Sequence, residues 1–496
     1  MRRRCIIGKR WQKAALFACA LALALLLLLA LLPRAKAGQR ALDAAEGCNQ
    51  YQFDLIFRPE ESALAVTMTL RYTNRTGDAL DALVLRTWAG AYLSPETSPA
   101  AIDEFYDACY PDGFSAGGIQ LDGAWWNDEL TTADFADDAR TVLRVDIPTL
   151  APEESGTLLL RCRLTVPACA HRFGVSQGIW QFGNALPILS RYENGSWRTD
   201  AYHPIGDPFV SDCANYDVTL TVPAGYACAA SAHPTRETAG DGRWRYRMTA
   251  PAARDFSFAL SDQLEAAERT ESGISVTALA PTAASARAAA KYAAKALAVY
   301  RGLYGDYPYE SLTVCAADFP FGGMEYAGLM LVSLPAFGEG WEDTLELVIA
   351  HETAHQWFYA LVGSDQVNDP WQDEAVCEYA MLRYVLSAYG RDAWDNLRIT
   401  RADAPMRERV PQRVTPGSPI TAFGSLDVYS TVVYGRGAAF LLAAEEMTGS
   451  LDGFLKAYCD RFAFGFARRE DFARLLNEIT GQDLLPLMQD YLDTLQ

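Results

Sequence analysis

The chain has 496 residues, of which half are apolar and 21% are charged. This length allows two or three domains with separate cores, and the composition is that of a globular protein, not of a disordered one. Outside the first 37 residues there are 35 basic and 62 acidic residues, a net charge of −27. Such an acidic surface argues against nucleic acid as a partner.

Residues 1–37 have the pattern of an export signal. Basic residues precede an unbroken apolar run at positions 14–32, and Ala35-Lys-Ala37 follows the run. A run of 19 residues is also just long enough to span a bilayer. We therefore expect either a cleaved signal peptide or an uncleaved signal anchor that contacts the membrane. Both alternatives place the rest of the chain outside the cytoplasm, secreted or anchored to the membrane by residues 14–32.

Residues 47–262 are predicted to form an N-terminal β-domain. Apolar and polar residues alternate at 51–57, 64–72 and 216–222, and turn sequences separate such runs. Short alternating strands at this spacing predict an antiparallel β-sandwich or a saddle-shaped sheet. The segment from Ile179 to Phe209 is rich in loops and aromatic residues, and we expect it to border a cleft.

Residues 263–496 are predicted to form a second, α/β domain that is helical from about residue 342. The pattern predicts an Ala-rich helix followed by two strands, at Ala283–Tyr304, Leu312–Ala317 and Leu329–Leu334. Longer helices are predicted at Glu342–Leu361, Trp371–Ala388 and Tyr434–Met447, with three shorter ones up to Leu495. The predicted fold class is therefore α+β, in more than one domain.

The main chemical signal is His351-Glu-Thr-Ala-His355. Two histidines four residues apart point from the same face of a helix, so both imidazoles can reach one metal ion. Glu352 lies on the flank of that face, where it can take a proton from a water at the metal without being a ligand. The alternative is a buried helix with two hydrogen-bonded histidines. The chain has only five histidines, so a chance match to this motif is improbable.

A hydrolytic zinc site needs three protein ligands and one open position. No Cys-x-x-Cys pair occurs, which argues against a cysteine-built site. Trp371-Gln-Asp-Glu374 offers the third ligand through Glu374, and Glu378 follows one helical turn later on the same face. That spacing suits a ligand carboxylate and a second carboxylate that orients a ligand histidine through its other ring nitrogen. The alternative for these two acids is a solvated helix face.

One stretch of the sequence resembles the signature of the aminopeptidase N family of gluzincin zinc metallopeptidases. It consists of His351-Glu-x-x-His355, 18 further residues and then Glu374. Three more segments are similar to that family: Gly322-Gly-Met-Glu-Tyr326 to its exopeptidase motif, Tyr429-Ser-Thr-Val-Val-Tyr434-Gly-Arg-Gly437 to the stretch with its catalytic tyrosine, and Gly206-Asp-Pro-Phe209 to the end of its β-domain. The resemblance implies a β-domain followed by a thermolysin-like catalytic domain.

The resemblance also implies a role for each matching residue. His351, His355 and Glu374 would bind one zinc ion, with Glu378 behind them, and Glu352 and Tyr434 would be catalytic. Glu352 would activate the attacking water, and Tyr434 would donate a hydrogen bond to the developing oxyanion. Glu325 would bind the free α-amine of a peptide, with Gly322, Gly323 and Met324 lining the peptide as an edge strand.

Two positions depart from the family pattern. Tyr326 stands where the family has Asn. Many members also use a second glutamate from the β-domain to bind the amine, and here the comparable segment, Trp180-Gln-Phe-Gly-Asn184, has Gly183 and Asn184 instead.

The sequence predicts a zinc aminopeptidase whose substrates are peptides with a free N-terminus. Two other functions stay open: a zinc endopeptidase or dipeptidase with the same centre, and an inactive relative that only binds peptides.

Overall fold

The computed structural model describes residues 37–495. The predicted leader, residues 1–37, and its membrane contact through residues 14–32 therefore lie outside the described residues, except for Ala37. Within residues 37–495, no helix is both long and apolar enough to cross a bilayer.

The N-terminal half is built from β-sheets, as the sequence predicts. An eight-stranded sheet has the order 235–240, 243–253, 214–223, 49–58, 63–73, 155–165, 118–126 and 129–131. Two four-stranded sheets have the orders 227–230, 258–261, 179–182, 173–176 and 188–189, 80–86, 142–150, 133–135, and strands 192–193 and 196–197 form a hairpin. Neighbouring strands are antiparallel except Asn49–Arg58 with Ala214–Pro223, which are parallel.

Alternation along the strands explains why these sheets form one layered domain. In Asn49–Arg58, buried and exposed residues alternate from Tyr51 onward. In Ala214–Pro223 beside it, buried residues alternate with more exposed ones from Tyr216 onward. Each strand thus turns an apolar face inward, and burial of these faces against one another stabilises the domain.

The second half begins with a five-stranded sheet in the order 265–271, 274–280, 311–317, 329–333 and 323–324. Strands 274–280, 311–317 and 329–333 are parallel. Strand 311–317 is buried at every residue, as expected for a central strand. The edge strand Gly323–Met324 pairs antiparallel with Leu331 and Val332.

Helices pack on this sheet and follow it. In chain order the α-helices of residues 37–495 are α1 to α11, at 39–45, 106–109, 283–304, 342–354, 371–389, 391–398, 426–429, 437–448, 452–461, 469–480 and 485–492. Short 3-10 turns cover 59–61, 88–93, 334–337 and 420–422, and π-helical turns cover 399–403 and 430–436. Together these elements form the β-domain and the helix-rich α/β part that the sequence predicts.

Two predicted helices have different limits in the structure. Helix α4 ends at Ala354, with His355 as its C-cap, and does not continue to Leu361. The Ala360 N–H bonds to the His355 carbonyl across five residues, a wider turn that buries Trp357 and Phe358. Tyr434 does not begin an α-helix but lies in the π-helical turn Ser430–Arg436, and α8 begins at Gly437. Such turns often occur at functional sites.

One buried arginine ties the two halves together. Arg254 follows the last long strand of the β-domain and is 2% exposed. Its guanidinium donates to the Ser211, Tyr359 and Gly465 carbonyls at 2.7, 2.7 and 2.8 Å. Because all three acceptors are backbone atoms from distant parts of the chain, this contact fixes the β-domain against the metal-site helices.

Candidate metal centre and active site

The predicted ligands come together at the meeting point of α4 and α5. His351 Nε2, His355 Nε2 and Glu374 Oε2 lie 3.1–3.4 Å from one another. Donors at the corners of a tetrahedron with bonds of about 2.0–2.1 Å are about 3.3 Å apart. The three side chains are 1–6% exposed. The spacing, burial and N/N/O chemistry of this set fit one zinc ion and leave a fourth position free.

Each histidine has a carboxylate beside its other ring nitrogen. Glu378 Oε2 lies 3.3 Å from His351 Nδ1, in the place that the sequence predicts for it. Arg401 donates to both Glu378 oxygens, at 2.5 and 3.0 Å. This fork holds the carboxylate in place, and such partners fix the direction of a ligand imidazole.

Asp373 does the same for His355 and was not singled out from the sequence. Asp373 Oδ1 lies 2.7 Å from His355 Nδ1, and Gln366 Nε2 donates to Asp373 Oδ2 at 2.5 Å. The residue directly precedes Glu374, so its position beside a ligand was the available signal. Asp373 and Glu374 both lie in the first turn of α5, where the helix dipole favours negative charge.

Replacing Asp373 with asparagine is expected to lower zinc affinity about 10- to 100-fold, because the His355 ring loses its orienting carboxylate. Titration of the zinc-loaded protein with a competing chelator measures the change. Asp369→Asn is the matched control, since Asp369 lies just before α5 but accepts a hydrogen bond from the Trp371 indole and does not contact a ligand. Equal affinities for the two variants would contradict the role of Asp373.

Glu352 lies beside the three donors and is 5% exposed. Its Oε2 has no hydrogen-bond partner within residues 37–495. A Cβ on Gly323 would overlap with the Glu352 carboxylate, so a larger residue at this point of the edge strand would displace that side chain. Burial raises the pKa of Glu352 to about 7. The carboxylate is thus free to take up a proton near neutral pH.

Tyr434 packs against the His351 ring. The two rings stack with centroids 5.6 Å apart and planes 23° apart. Burial, together with the neighbouring Glu374 carboxylate, raises the pKa of Tyr434 well above its ordinary value. The hydroxyl therefore stays protonated and able to donate a hydrogen bond.

The three metal ligands, Glu352 and Tyr434 line one cavity of about 400 Å³. The β-domain contributes Gly206 and Asp207, as expected for a segment that borders a cleft, and also Arg172. The α/β part contributes the three metal ligands, the Glu325 and Glu352 carboxylates and an apolar wall. The residues of this part that line the cavity include Phe321, Gly322, Gly323, Glu325, Leu347, Val348, His351, Glu352, His355, Glu374, Met381, Arg401, Tyr429 and Tyr434. Met324, grouped with the substrate-binding residues by the sequence, is buried and is not among the lining residues.

Residues 289–491 match the model of the peptidase family M1 domain. The chain is 27% identical to aminopeptidase B of Mus musculus over 292 residues, 55% of this chain and 43% of that protein. It is 27% identical to aminopeptidase N of Lactobacillus helveticus over 220 residues, 40% of this chain and 26% of that protein. The match identifies residues 289–491 as a peptidase family M1 domain.

The fold agrees with this family. An M1 zinc metallopeptidase from Deinococcus radiodurans superposes with a TM-score of 0.65 at 20% identity, over 90% of this chain and 95% of that one. A mutant of that protein bound to a Tyr-Ser-Ala substrate gives 0.62 at 20% identity, over 92% and 95%. The matches to the curated relatives named above span less than half of those proteins.

The structure brings the two departures from the family M1 pattern into contact. A Cβ on Gly183 would overlap with the Tyr326 hydroxyl and would lie 2.6 Å from Tyr326 Cζ. Tyr326 is 0% exposed. The tyrosine thus fills the space that a side chain at position 183 would need.

Proposed function

We propose that this protein is a zinc aminopeptidase that removes N-terminal residues from peptides. The observation that carries the proposal is a three-donor centre with tetrahedral spacing in the same cavity as Glu325 and Glu352. Among the described residues, Glu352 Oε2 has no hydrogen-bond partner. When bound at His351, His355 and Glu374, zinc polarises the scissile carbonyl and makes water a stronger nucleophile.

The chain's own side chains would supply the other steps. Glu352 takes a proton from the attacking water and passes it to the leaving amine. The Tyr434 hydroxyl donates to the oxygen that gains negative charge in the transition state. The edge strand at Gly322 and Gly323 offers backbone groups to an extended peptide. Each group lines the cavity, so the steps occur within one site.

Glu325 supports an exopeptidase. The side chain is 3% exposed, and its Oε1 has no hydrogen-bond partner within residues 37–495. A buried carboxylate oxygen without a donor is costly, and an ammonium group with three N–H donors would satisfy it. A peptide with a free N-terminus brings this group into the cavity.

Comparison of a peptide with its N-acetylated form tests the proposal. We expect the zinc-loaded protein to cleave the free peptide and to leave the acetylated one intact, because acetylation removes the charge that Glu325 binds. Glu325→Gln is expected to raise KM for the free peptide about 10- to 100-fold. Equal cleavage of both peptides would instead favour an endopeptidase with the same centre.

We also propose that the protein works outside the cytoplasm. The proposal rests on residues 1–37, with their basic flank, apolar run and Ala-x-Ala end. Fractionation of expressing cells, with N-terminal sequencing of the mature protein, distinguishes secretion from anchoring. Recovery in the cytoplasm with the leader intact would contradict it.

A further inference from the structure

Two buried cysteines of the β-domain are neighbours in the fold and take no part in the metal centre. Cys109 ends the short helix α2, and Cys169 lies shortly before the strand Phe173–Ser176. Their side chains are 0% and 1% exposed, and both thiols are free in this structure. None of the roles proposed above uses this pair.

The backbone places the two residues next to each other. The Ala170 N–H donates to the Cys109 carbonyl at 2.9 Å. A bond from the residue after Cys169 to the carbonyl of Cys109 is the one that joins paired residues in a parallel ladder, where neighbouring strands run about 4.8 Å apart. Disulfides join residues whose Cα atoms are about 4.4–6.8 Å apart. The backbone spacing therefore allows a disulfide here.

The two thiols also interact directly. The Cys109 thiol is a hydrogen-bond partner of the Cys169 thiol. Burial, and then this hydrogen bond, raise the pKa of Cys169 well above its ordinary value. The Tyr110 hydroxyl bonds to Ser98 at 2.9 Å and also to the Cys169 thiol. The two cysteine side chains therefore point toward each other within the core.

Cys109 ends a segment that contacts two residues of the cavity lining. The Phe105 ring meets the Phe321 ring edge to face, with centroids 5.4 Å apart. The Glu104 carboxylate accepts from the Leu426 N–H at 3.0 and 3.1 Å. Phe321 and Leu426 both line the cavity that holds the metal centre. A covalent anchor at Cys109 would therefore fix this segment beside the cavity.

We propose that Cys109 and Cys169 form a disulfide bond that anchors helix α2 and the residues before it beside the cavity. As the S–S bond forms, the two thiols lose two protons and two electrons. The oxidant is another disulfide, that of a thiol–disulfide oxidoreductase or of glutathione, and it is reduced to two thiols. Such bonds persist outside the cytoplasm, the location proposed above.

The burial of the pair sets when this bond can form. A thiolate is the attacking species in disulfide exchange, and a buried thiol with a raised pKa is inert. The bond must therefore form during folding, before the core closes around Cys109 and Cys169. An experiment has to supply the oxidant while the chain folds.

Peptide mapping without reduction tests the pairing. Cell-free synthesis of the full chain in a buffer of oxidised and reduced glutathione supplies the oxidant during folding, whatever the route of export. Iodoacetamide in denaturant then blocks the free thiols before digestion. We expect peptides in which Cys109 and Cys169 are joined. Blocked thiols at both positions, or a bond from either one to any other thiol, would overturn the proposal.

Cys162 is the internal control for the mapping. It is a buried cysteine of the same domain, and its raised pKa comes from burial and Asp122, not from another thiol. We expect it to be blocked by iodoacetamide in the same sample. A bond at Cys162 would show that the conditions join cysteines without regard to the native fold, and the proposed pairing would then fail.

Thermal unfolding measures whether the bond anchors the fold. The bond closes a loop of about 60 residues. We expect protein made in the glutathione buffer to unfold about 5–10 °C above protein made with a reductant. In Cys109→Ala and Cys169→Ala the two preparations should unfold at the same temperature, whereas Cys162→Ala should keep the wild-type difference. A wild type without this difference, or its loss in Cys162→Ala, would contradict the proposal.

Limited proteolysis tests the effect on the segment beside the cavity. Glu104 is exposed, and so is Glu153 in a turn of the same domain. A glutamate-specific protease is expected to cut the reduced protein several-fold faster at Glu104, with cleavage at Glu153 unchanged. Equal rates at Glu104 with and without the bond would show that it anchors nothing there. No substrate is needed, so these results do not depend on the proposed aminopeptidase function.

Discussion

Glu352→Gln is expected to lower kcat for peptide hydrolysis by about 10²- to 10⁴-fold, the range that a positioned general base contributes. Glutamine keeps the shape of the side chain and its close packing against Gly323. It cannot accept the proton of the attacking water. Since Glu352 is not one of the three donors His351, His355 and Glu374, the variant should bind zinc normally at that centre. Steady-state kinetics with metal analysis of the same sample measures both effects.

Glu342→Gln is the control for this experiment. It makes the same chemical change in the first turn of α4, on an exposed residue away from the cavity. We expect its kcat to equal that of the wild type. If the wild-type protein hydrolyses nothing that Glu352→Gln does not, the protein is a peptide-binding relative and not an enzyme.

A second large loss of activity is expected when Tyr434 is changed. Tyr434→Phe is expected to lower kcat about 10²- to 10³-fold with little change in KM, because the hydroxyl bonds to an oxygen that carries charge only in the transition state. Phenylalanine keeps the ring that stacks on His351. Zinc binding and folding should therefore persist, and the loss should appear in kcat.

Tyr429 provides the comparison for this variant. Its ring contacts the Tyr434 ring edge to face at 5.7 Å, and its hydroxyl faces Gly206. Tyr429 is 2% exposed. We expect Tyr429→Phe to reduce kcat much less than Tyr434→Phe. A larger loss in Tyr429→Phe would move the oxyanion contact to that residue.

The second layer around the metal shows where prediction from the sequence stopped. Glu378 could be assigned because it follows Glu374 by one helical turn, and helix geometry alone places both on one face. Asp373 was missed because its contact depends on how α5 meets the C-terminal end of α4. Arg401, which fixes Glu378, comes from a π-helical turn that no local pattern indicates.

The ends of the helices were likewise predicted correctly where local signals set them, and wrongly where tertiary packing sets them. The α3 helix agrees with its predicted limits, Ala283–Tyr304, because its Ala-rich pattern, Thr282 cap and terminal Gly305 are local signals. The end of α4 at Ala354 was not predicted, because residues 355–361 are mostly apolar and contain no helix-breaking residue. Their burial on several sides, in a turn that brings Trp357 and Phe358 into the core, decides the end.

By itself, the sequence determined the fold class, the family resemblance and the residues that could form the metal centre. These follow from repeating periods and fixed spacings, such as His351 to His355, that act within one element. Only the tertiary structure decided the tetrahedral spacing of the three donors, the contact between Gly183 and Tyr326, and the approach of Asp207 to the cavity of Glu325. Each of those features involves residues from different elements, and packing between elements sets their distances.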